Sequence, residues 1–263
     1  MRFRALAALP VVLVVLALLG YFLAPPAAQP RVLTGAVEAA KILAIAGCTL
    51  AALAFEGGDY LRRAWLLLAA CTSLLLARDV VALFGGAAAL QGALALGGNG
   101  CSVAGTWMLA RAWTVAGLDD GEDSSAGRMV ILAGAAGLAV LVTGAPLVGD
   151  VAALLRGEVF AFVPLASDVA DAVVLVLLAP LLQTTLALRG GVLRWPWAML
   201  TCNNLLWLVF DAVYGFGGAW HVEPAHRHLV TEALRALATA YTFSAGIAQR
   251  WAVTSTLEGQ PAS

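Results

Sequence analysis

Eight times along this chain, a stretch of about 20 predominantly apolar residues runs between charges, glycines and prolines. In hydrocarbon such a stretch has to satisfy its own backbone N–H and C=O groups, which an α-helix does and a lone strand does not. The stretches fall at 5–24, 31–55, 62–86, 92–117, 129–148, 164–188, 195–218 and 227–250. They occupy nearly the whole chain, so the expected fold is all-α, a polytopic membrane bundle of eight transmembrane helices. Hydrophobic residues make up 62% and charged residues 12%, with a mean hydropathy of +0.90, where a soluble chain is about half apolar and a quarter charged. The segment after Trp251 is too small for a catalytic or DNA-binding domain, so the activity is expected within the membrane or at its faces.

Orientation follows from the arginines, because cytoplasmic loops retain Lys and Arg. Arg2, Arg4, Arg62, Arg63, Arg111, Arg128, Arg189, Arg194 and Arg250 mark one set of helix ends, and Arg31, Arg156 and Arg227 the other. Both termini are therefore expected in the cytoplasm. The first segment also has the basic start and apolar middle of a secretory signal, but its apolar run is long for one, and an uncleaved helix is the expectation. If it is cleaved, seven helices keep the same orientation. No basic run points to nucleic acid.

An internal repeat constrains the fold further. "LRRAWLLLAACTSLLLARDVVALFGG" (61–86) aligns without a gap on "LRWPWAMLTCNNLLWLVFDAVYGFGG" (193–218), with 11 of the 26 positions identical, where roughly three are expected by chance in so biased a composition. Trp65 meets Trp197, Asp79 meets Asp211, and Phe84-Gly85-Gly86 meets Phe216-Gly217-Gly218. The same 132-residue shift carries 31–55 onto 163–187 and 92–117 onto 224–249, while the first and fifth segments correspond only by order. Four helices per copy is an even number, so the two copies are expected as parallel repeats related by an axis along the membrane normal. The expected layout is a first repeat over 1–118, an acidic cytoplasmic linker over 119–127, a second repeat over 128–251 and a short cytoplasmic tail over 252–263. Runs of small residues in the fourth and fifth segments, "LQGALALGGNGCSVAGTWMLA" and "ILAGAAGLAVLVTGA", place both inward or at the contact between halves.

Apart from the arginines at helix ends, nine charged residues fall inside the spans: Glu38, Lys41, Arg78, Asp79, Asp168, Asp171, Asp211, Glu232 and Arg235. At 1.5 Å per residue all lie on the outer side of their helix midpoints, by roughly 3 to 12 Å. A charge facing lipid at the bilayer centre costs about 2.5–3.5 kcal/mol on insertion scales, so these residues should face one another or water. Glu38 with Lys41 and Glu232 with Arg235 are i,i+3 pairs, Asp168 and Asp171 share a face, and Arg78 adjoins Asp79. On the seventh segment Asn204, Trp207, Asp211 and Tyr214 form one stripe, with Asp211 and Tyr214 expected to line a polar cavity and Asn204 to form its floor by hydrogen bonds between helices. Six acids against three bases leave a surplus of carboxylates, which makes cation binding or proton linkage an option. Structural ion pairing is the competing account of the same residues.

Other chemistries find no motif. Cys48, Cys71, Cys101 and Cys202 show neither a CxxC pair nor metal spacing and read as small packing residues. His221, His226 and His228 all sit in the loop before the last segment, none deep enough to ligate a membrane haem, and they read as surface residues. "GLDDGEDSSAG" (117–127) lacks the Gly and final Glu of a calcium loop. Lys41 is the only lysine, and it is not in the last segment, where retinal proteins carry theirs. No serine nucleophile, HExxH or phosphate-binding loop is present, so no metal, no cofactor and no catalytic residue is expected.

At "GDYLRRAWLLLAACTSLLLARDVV" and "FVPLASDVADAVVLVLLAPLLQTTLALRGGVLRWPWAMLTCNNLLWLVFDAVYGF" the chain resembles the multi-helix membrane domains found at the N-terminus of some bacterial diguanylate cyclases and sensor histidine kinases. The resemblance rests on an Arg-x-x-Trp start (Arg62 or Arg194 with Trp65 or Trp197), helices ending in Asp79 and Asp211, and Asp168 early in a later helix. It covers about a third of the chain and implies a receptor-like module. No output domain is attached here, so the signal would pass to a separate cytoplasmic signalling partner through 117–127 or 251–263. The expected function is a stand-alone sensory or ligand-binding protein of the bacterial inner membrane, in contact with membrane lipids and taking a small ligand, cation or proton from the outer side. The alternatives are a small-solute or ion transporter and an intramembrane lipid-modifying enzyme using Asp168 and Asp211.

Overall fold

In a computed structural model the chain is all-helical, with eight α-helices and no strand among the described residues. The backbone is described for residues 2–115, 125–187, 191–216 and 223–258, and side chains for 2–112, 129–177, 191–214 and 223–255. The helices are α1 (Arg2–Leu23), α2 (Gln29–Ala52), α3 (Tyr60–Leu83), α4 (Ala88–Val115), α5 (Ser125–Leu155), α6 (Phe162–Ala187), α7 (Arg194–Phe216) and α8 (Pro224–Glu258), with a 3₁₀ turn at Val159–Ala161 before α6. Five stretches of the described residues are long and apolar enough to cross a membrane: α1, α2, α3, Met129–Leu155 of α5 and Val159–Leu177.

Helix ends follow local chemistry. Pro30 opens α2, where its missing N–H costs nothing. Asp59 caps α3, its side chain accepting from the Leu61 N–H at 2.7 Å. At the other end Gly85 adopts φ 68°, and the N–H groups of Gly85 and Gly86 donate to the carbonyls of Ala82 and Val81 at 3.0 and 2.8 Å. That is the paired-bond stop a left-handed glycine provides, so Phe84-Gly85-Gly86 is a helix terminator. Its copy at 217–218 lies outside the described residues.

Six helices close a ring in the order α2, α3, α4, α6, α7, α8 and back to α2. Outside it, α1 packs on α2 and α8, and α5 packs on α6 and α7. At the end of the ring near the chain termini of α2 and α4, apolar side chains fill the interior: Trp65, Leu109, Trp197, Met199, Ala245 and Ala248 are all buried there. Aromatic residues rim the same end, with Phe3 stacked on Trp195 and edge-on to Trp251, and the Arg111 and Arg194 guanidinium groups over Trp107 and Trp195.

The seam between α2 and α8 is closed backbone to backbone. A Cβ on Gly246 would fall 2.3 Å from the carbonyl carbon and oxygen of Gly47, and one on Gly47 would fall 2.7 Å from the Phe243 oxygen. Glycines of α4 serve the same purpose against α3, where Gly98 and Gly105 face Leu75 and the Ala64 carbonyl. The expected inward place for α5 is not observed. A Cβ at Gly134, Gly137 or Gly149 would meet nothing within 4 Å, and Val130, Val140, Leu141 and Val148 are exposed. In α5 the small residues lower bulk without drawing a neighbour in, because the helix lies on the rim with an apolar outward face.

Boundaries also shift. Residues 125–127 belong to α5, so at most 119–124 of the linker is left, and that stretch lies outside the described residues. Helix α8 continues to Glu258, so 252–258 is helical. His226 and His228 sit in the first turns of α8, not in a loop; His221 lies outside the described residues.

Candidate functional site

A cavity of about 460 Å³ occupies the ring, lined by α2, α3, α4, α6, α7 and α8. Tyr214 and Pro164 stand at one end, and Asn203 and Leu68 at the other, near the apolar plug. From Tyr214 to Asn203 is eleven residues of helix, about 16 Å of depth. The volume is that of a site for a small organic molecule, and the plug makes it closed at one end.

The charges divide into two groups. On the α2, α3 and α8 side, three bases pair with three acids, with Glu38 Oε2 left buried and without a hydrogen-bond partner. Asp79 is the hub: Lys41 Nζ contacts its Oδ2, Arg78 donates to Oδ1 from Nε at 2.8 Å and Nη2 at 2.7 Å, and Arg235 Nη2 donates to Oδ2 at 3.0 Å. Lys41 also holds Glu38 at 3.1 Å, and Arg235 holds Glu232 at 2.6 Å. Lys41 is only 3% exposed, a burial that an ammonium tolerates only when paired in this way.

On the α6 and α7 side, Asp168, Asp171 and Asp211 all line the cavity. None of the three meets a cation or a hydrogen-bond donor among the described residues. Among the described residues, no Lys or Arg from α4, α6 or α7 lines the cavity; the bases that do come from α2, α3 and α8. In the repeated segment, Asp79 is preceded by Arg78, while Asp211 is preceded by Phe210. The repeat supplies the carboxylate twice but the guanidinium once.

Of the residues singled out in the sequence, Lys41, Arg78, Asp168, Asp171, Asn204, Asp211, Tyr214 and Arg235 line the cavity. Glu38, Asp79 and Glu232 are bound to its cations without lining it. Asn204 does not bridge helices as expected: its amide donates to the Leu200 carbonyl of its own helix at 2.8 Å. Tyr214 is 67% exposed and stacks on Phe210, which meets Trp207 edge-on, giving α7 an aromatic face beside its aspartate.

Other lining residues escaped the sequence reading. Asn99 donates to Ser167 Oγ at 2.7 Å, the polar link across the α4–α6 seam; its signal was a lone Asn in the run "GGNG". Asn203 is 9% exposed, lines the cavity, and its Oδ1 has no hydrogen-bond partner. The stripe through Asp211 selected its neighbour Asn204 and passed it by. Thr239 and Thr242 of α8 also line it.

Among the described residues, no three His, Cys, Asp or Glu converge closely enough to hold a metal ion. His226 Nδ1 lies 3.0 Å from Glu223 on the exposed end of α8, well apart from the cavity lining. Cys48 is buried as a packing residue, whereas Cys202 is exposed. Compared with family models, curated proteins and solved structures, the chain finds no match in any of the three.

Proposed function

We propose that this chain is an eight-span protein of the bacterial inner membrane, built as two parallel four-helix repeats with both termini cytoplasmic, and that it binds a small ligand entering from the outer side. The observation that carries the reading is the dead-end cavity with three uncompensated carboxylates on its wall. Burying a carboxylate without a partner is costly, and three such groups around one void are the arrangement of a site whose counter-charge arrives from outside. The ring order supports the repeats: exchanging α2, α3, α4 with α6, α7, α8 maps each contact of the ring onto another. The less apolar helices α4, α7 and α8 all belong to the ring, where neighbouring helices cover their polar residues, so modest hydropathy is compatible with spanning.

A closed inner end suits a sensory module, in which binding is read by a cytoplasmic signalling partner without flux. One observation favours a transporter as the second reading: the cavity lies between the two halves, where repeat-built carriers hold their substrates. The test is a thermal-shift screen of the purified protein against ions, lipids and small metabolites, with Asp211→Asn beside it. A ligand present at 100 times its Kd stabilises by about 2.7 kcal/mol. A shift in the wild type that Asp211→Asn abolishes is the expected result, and absence of any shift across the panel would sink the binding reading. Uptake of the identified ligand into liposomes then separates carrier from receptor.

A further inference from the structure

Away from the cavity, and independent of what binds there, we propose that the corner where α1, α7 and α8 meet binds a phospholipid with a net negative head group, its phosphate among Arg2, Arg4, Arg194 and Arg250. Three rings build the corner. Phe3 stacks on Trp195 with centroids 6.2 Å apart and meets Trp251 edge-on at 6.0 Å. Each of the four arginines is the chain neighbour of one of those rings, so the ring cluster gathers guanidinium groups from three helices. The Arg194 guanidinium lies over the Trp195 ring, 4.9 Å from its centroid. A contact through the guanidinium face leaves the N–H groups of its edge for a phosphate, which arginine grips with two parallel bonds.

Among the described residues nothing neutralises this corner. No Asp or Glu occurs in 1–37, 188–210 or 236–257, and none of the four arginines has an acidic partner among the described residues. At the far end of the bundle, by contrast, Arg156 is paired with Glu158 and His226 with Glu223. Retention of arginine on one side of a membrane needs only charge near the span ends. It does not require rings packed together beneath the charges, nor, for Arg250, a place inside a helix that runs on to Glu258. The surface beside the arginines selects a lipid over a free phosphate. Arg4, Ala8, Val12, Val15 and Leu19 follow one another along one face of α1, and all are exposed. From Arg4 to Leu19 the stripe runs about 22 Å, longer than the hydrocarbon of one leaflet, about 15 Å. A head group held at Arg4 therefore has an apolar track for its acyl chain on the same helix face, with the rings at the level between water and hydrocarbon.

The experiment is a native mass spectrometry titration of the full chain, delipidated in detergent, with dioleoyl phosphatidylglycerol and dioleoyl phosphatidylcholine, which share their chains and differ in net charge. Phosphatidylglycerol is expected to bind on the order of tenfold more tightly. Arg4→Gln and Arg194→Gln should each weaken it about fivefold and leave phosphatidylcholine unchanged. Arg63→Gln, at the same end of the bundle but on α3, across the ring from α7, should change neither. Equal affinities for the two lipids in the wild type would overturn the proposal without reliance on any variant. A loss in Arg63→Gln equal to that in Arg4→Gln would overturn the site in favour of a diffuse field of charge. Displacement of phosphatidylglycerol by an equal concentration of glycerol 3-phosphate would overturn the lipid as occupant, since a free phosphate makes no use of the α1 track. None of these outcomes involves the cavity, so this proposal and the ligand-binding reading fail separately.

Discussion

Asp79 and Asp211 occupy the same position of a repeated segment, yet one is the hub of an ion-pair network and the other has no oppositely charged partner among the described residues. Around Asp79 the chain supplies Lys41 from α2, Arg78 from α3 and Arg235 from α8. Around Asp211 it supplies Phe210, Trp207 and two further carboxylates. A duplicated carboxylate is therefore not a duplicated role. Its neighbours decide whether it holds the bundle together or is left for something else to neutralise, and the two outcomes respond to mutation in opposite ways.

The largest expected effect is on the first aspartate. Asp79→Ala leaves Lys41, Arg78 and Arg235 with one acceptor fewer, and removing one partner of a buried ion pair costs about 3–5 kcal/mol. The expected outcome is a large fall in thermal stability in detergent, with low yield. Asp211→Asn should leave the stability of the unliganded protein unchanged or raise it, because it removes a buried charge that has no partner. Equal losses for the two variants would erase the distinction between the sites.

The two halves also differ at their seams. Helices α2 and α8 touch through Gly47 and Gly246, whereas α4 and α6 meet at the Asn99–Ser167 hydrogen bond, with Gly92 lying against Val163. Gly246→Ala places a methyl within 2.3 Å of the α2 backbone, so the helices have to part. Overpacking of this kind costs about 1–3 kcal/mol. The loss should appear in thermal denaturation with no change in ligand affinity beyond what instability explains; a variant as stable as wild type would mean that the seam is not the tight one.

These contrasts mark what was legible in the sequence. The helical class was, because long apolar stretches leave the backbone one option in lipid, and so was the gathering of charge at similar heights, because position along a helix follows from counting residues. The i,i+3 pairs were visible for the same reason. Which helix lies beside which was not: spacing within a helix says nothing about the partner Asp79 finds on α8, 156 residues away. The glycines misled in α5 because small residues permit close packing without requiring it, and those of α2 and α8, which do require it, are single residues in otherwise ordinary helices. Asn203 was hidden by its neighbour, since two adjacent asparagines differ by about 100° around the helix and only the fold shows which one is buried.

A smaller effect sharpens the comparison between the aspartates. Phe210→Arg gives Asp211 the neighbour that Asp79 has in Arg78. If the difference between the sites is the missing guanidinium, the new arginine should occupy the place of the ligand, abolish the thermal shift that the ligand gives, and change unliganded stability by about 1 kcal/mol or less, since the pair gained is offset by the aromatic packing lost. Retained ligand binding would show that Asp168 and Asp171 suffice.

The smallest effect tests the rim against the ring. Gly137 in α5 has open space where a Cβ would be, so Gly137→Ala adds no clash and removes the entropic cost of a helical glycine, about 0.5–1 kcal/mol in favour of the variant. The same substitution at Gly246 points the other way, and the two together form a signed pair on a chemically identical change. The sign follows from which helices the ring encloses, because a methyl on its outside meets lipid and a methyl in its seam meets a backbone. A loss of stability at Gly137 would mean that a neighbour covers α5 in the membrane, for which a second copy of the chain, detected by cross-linking at that face, is the direct check.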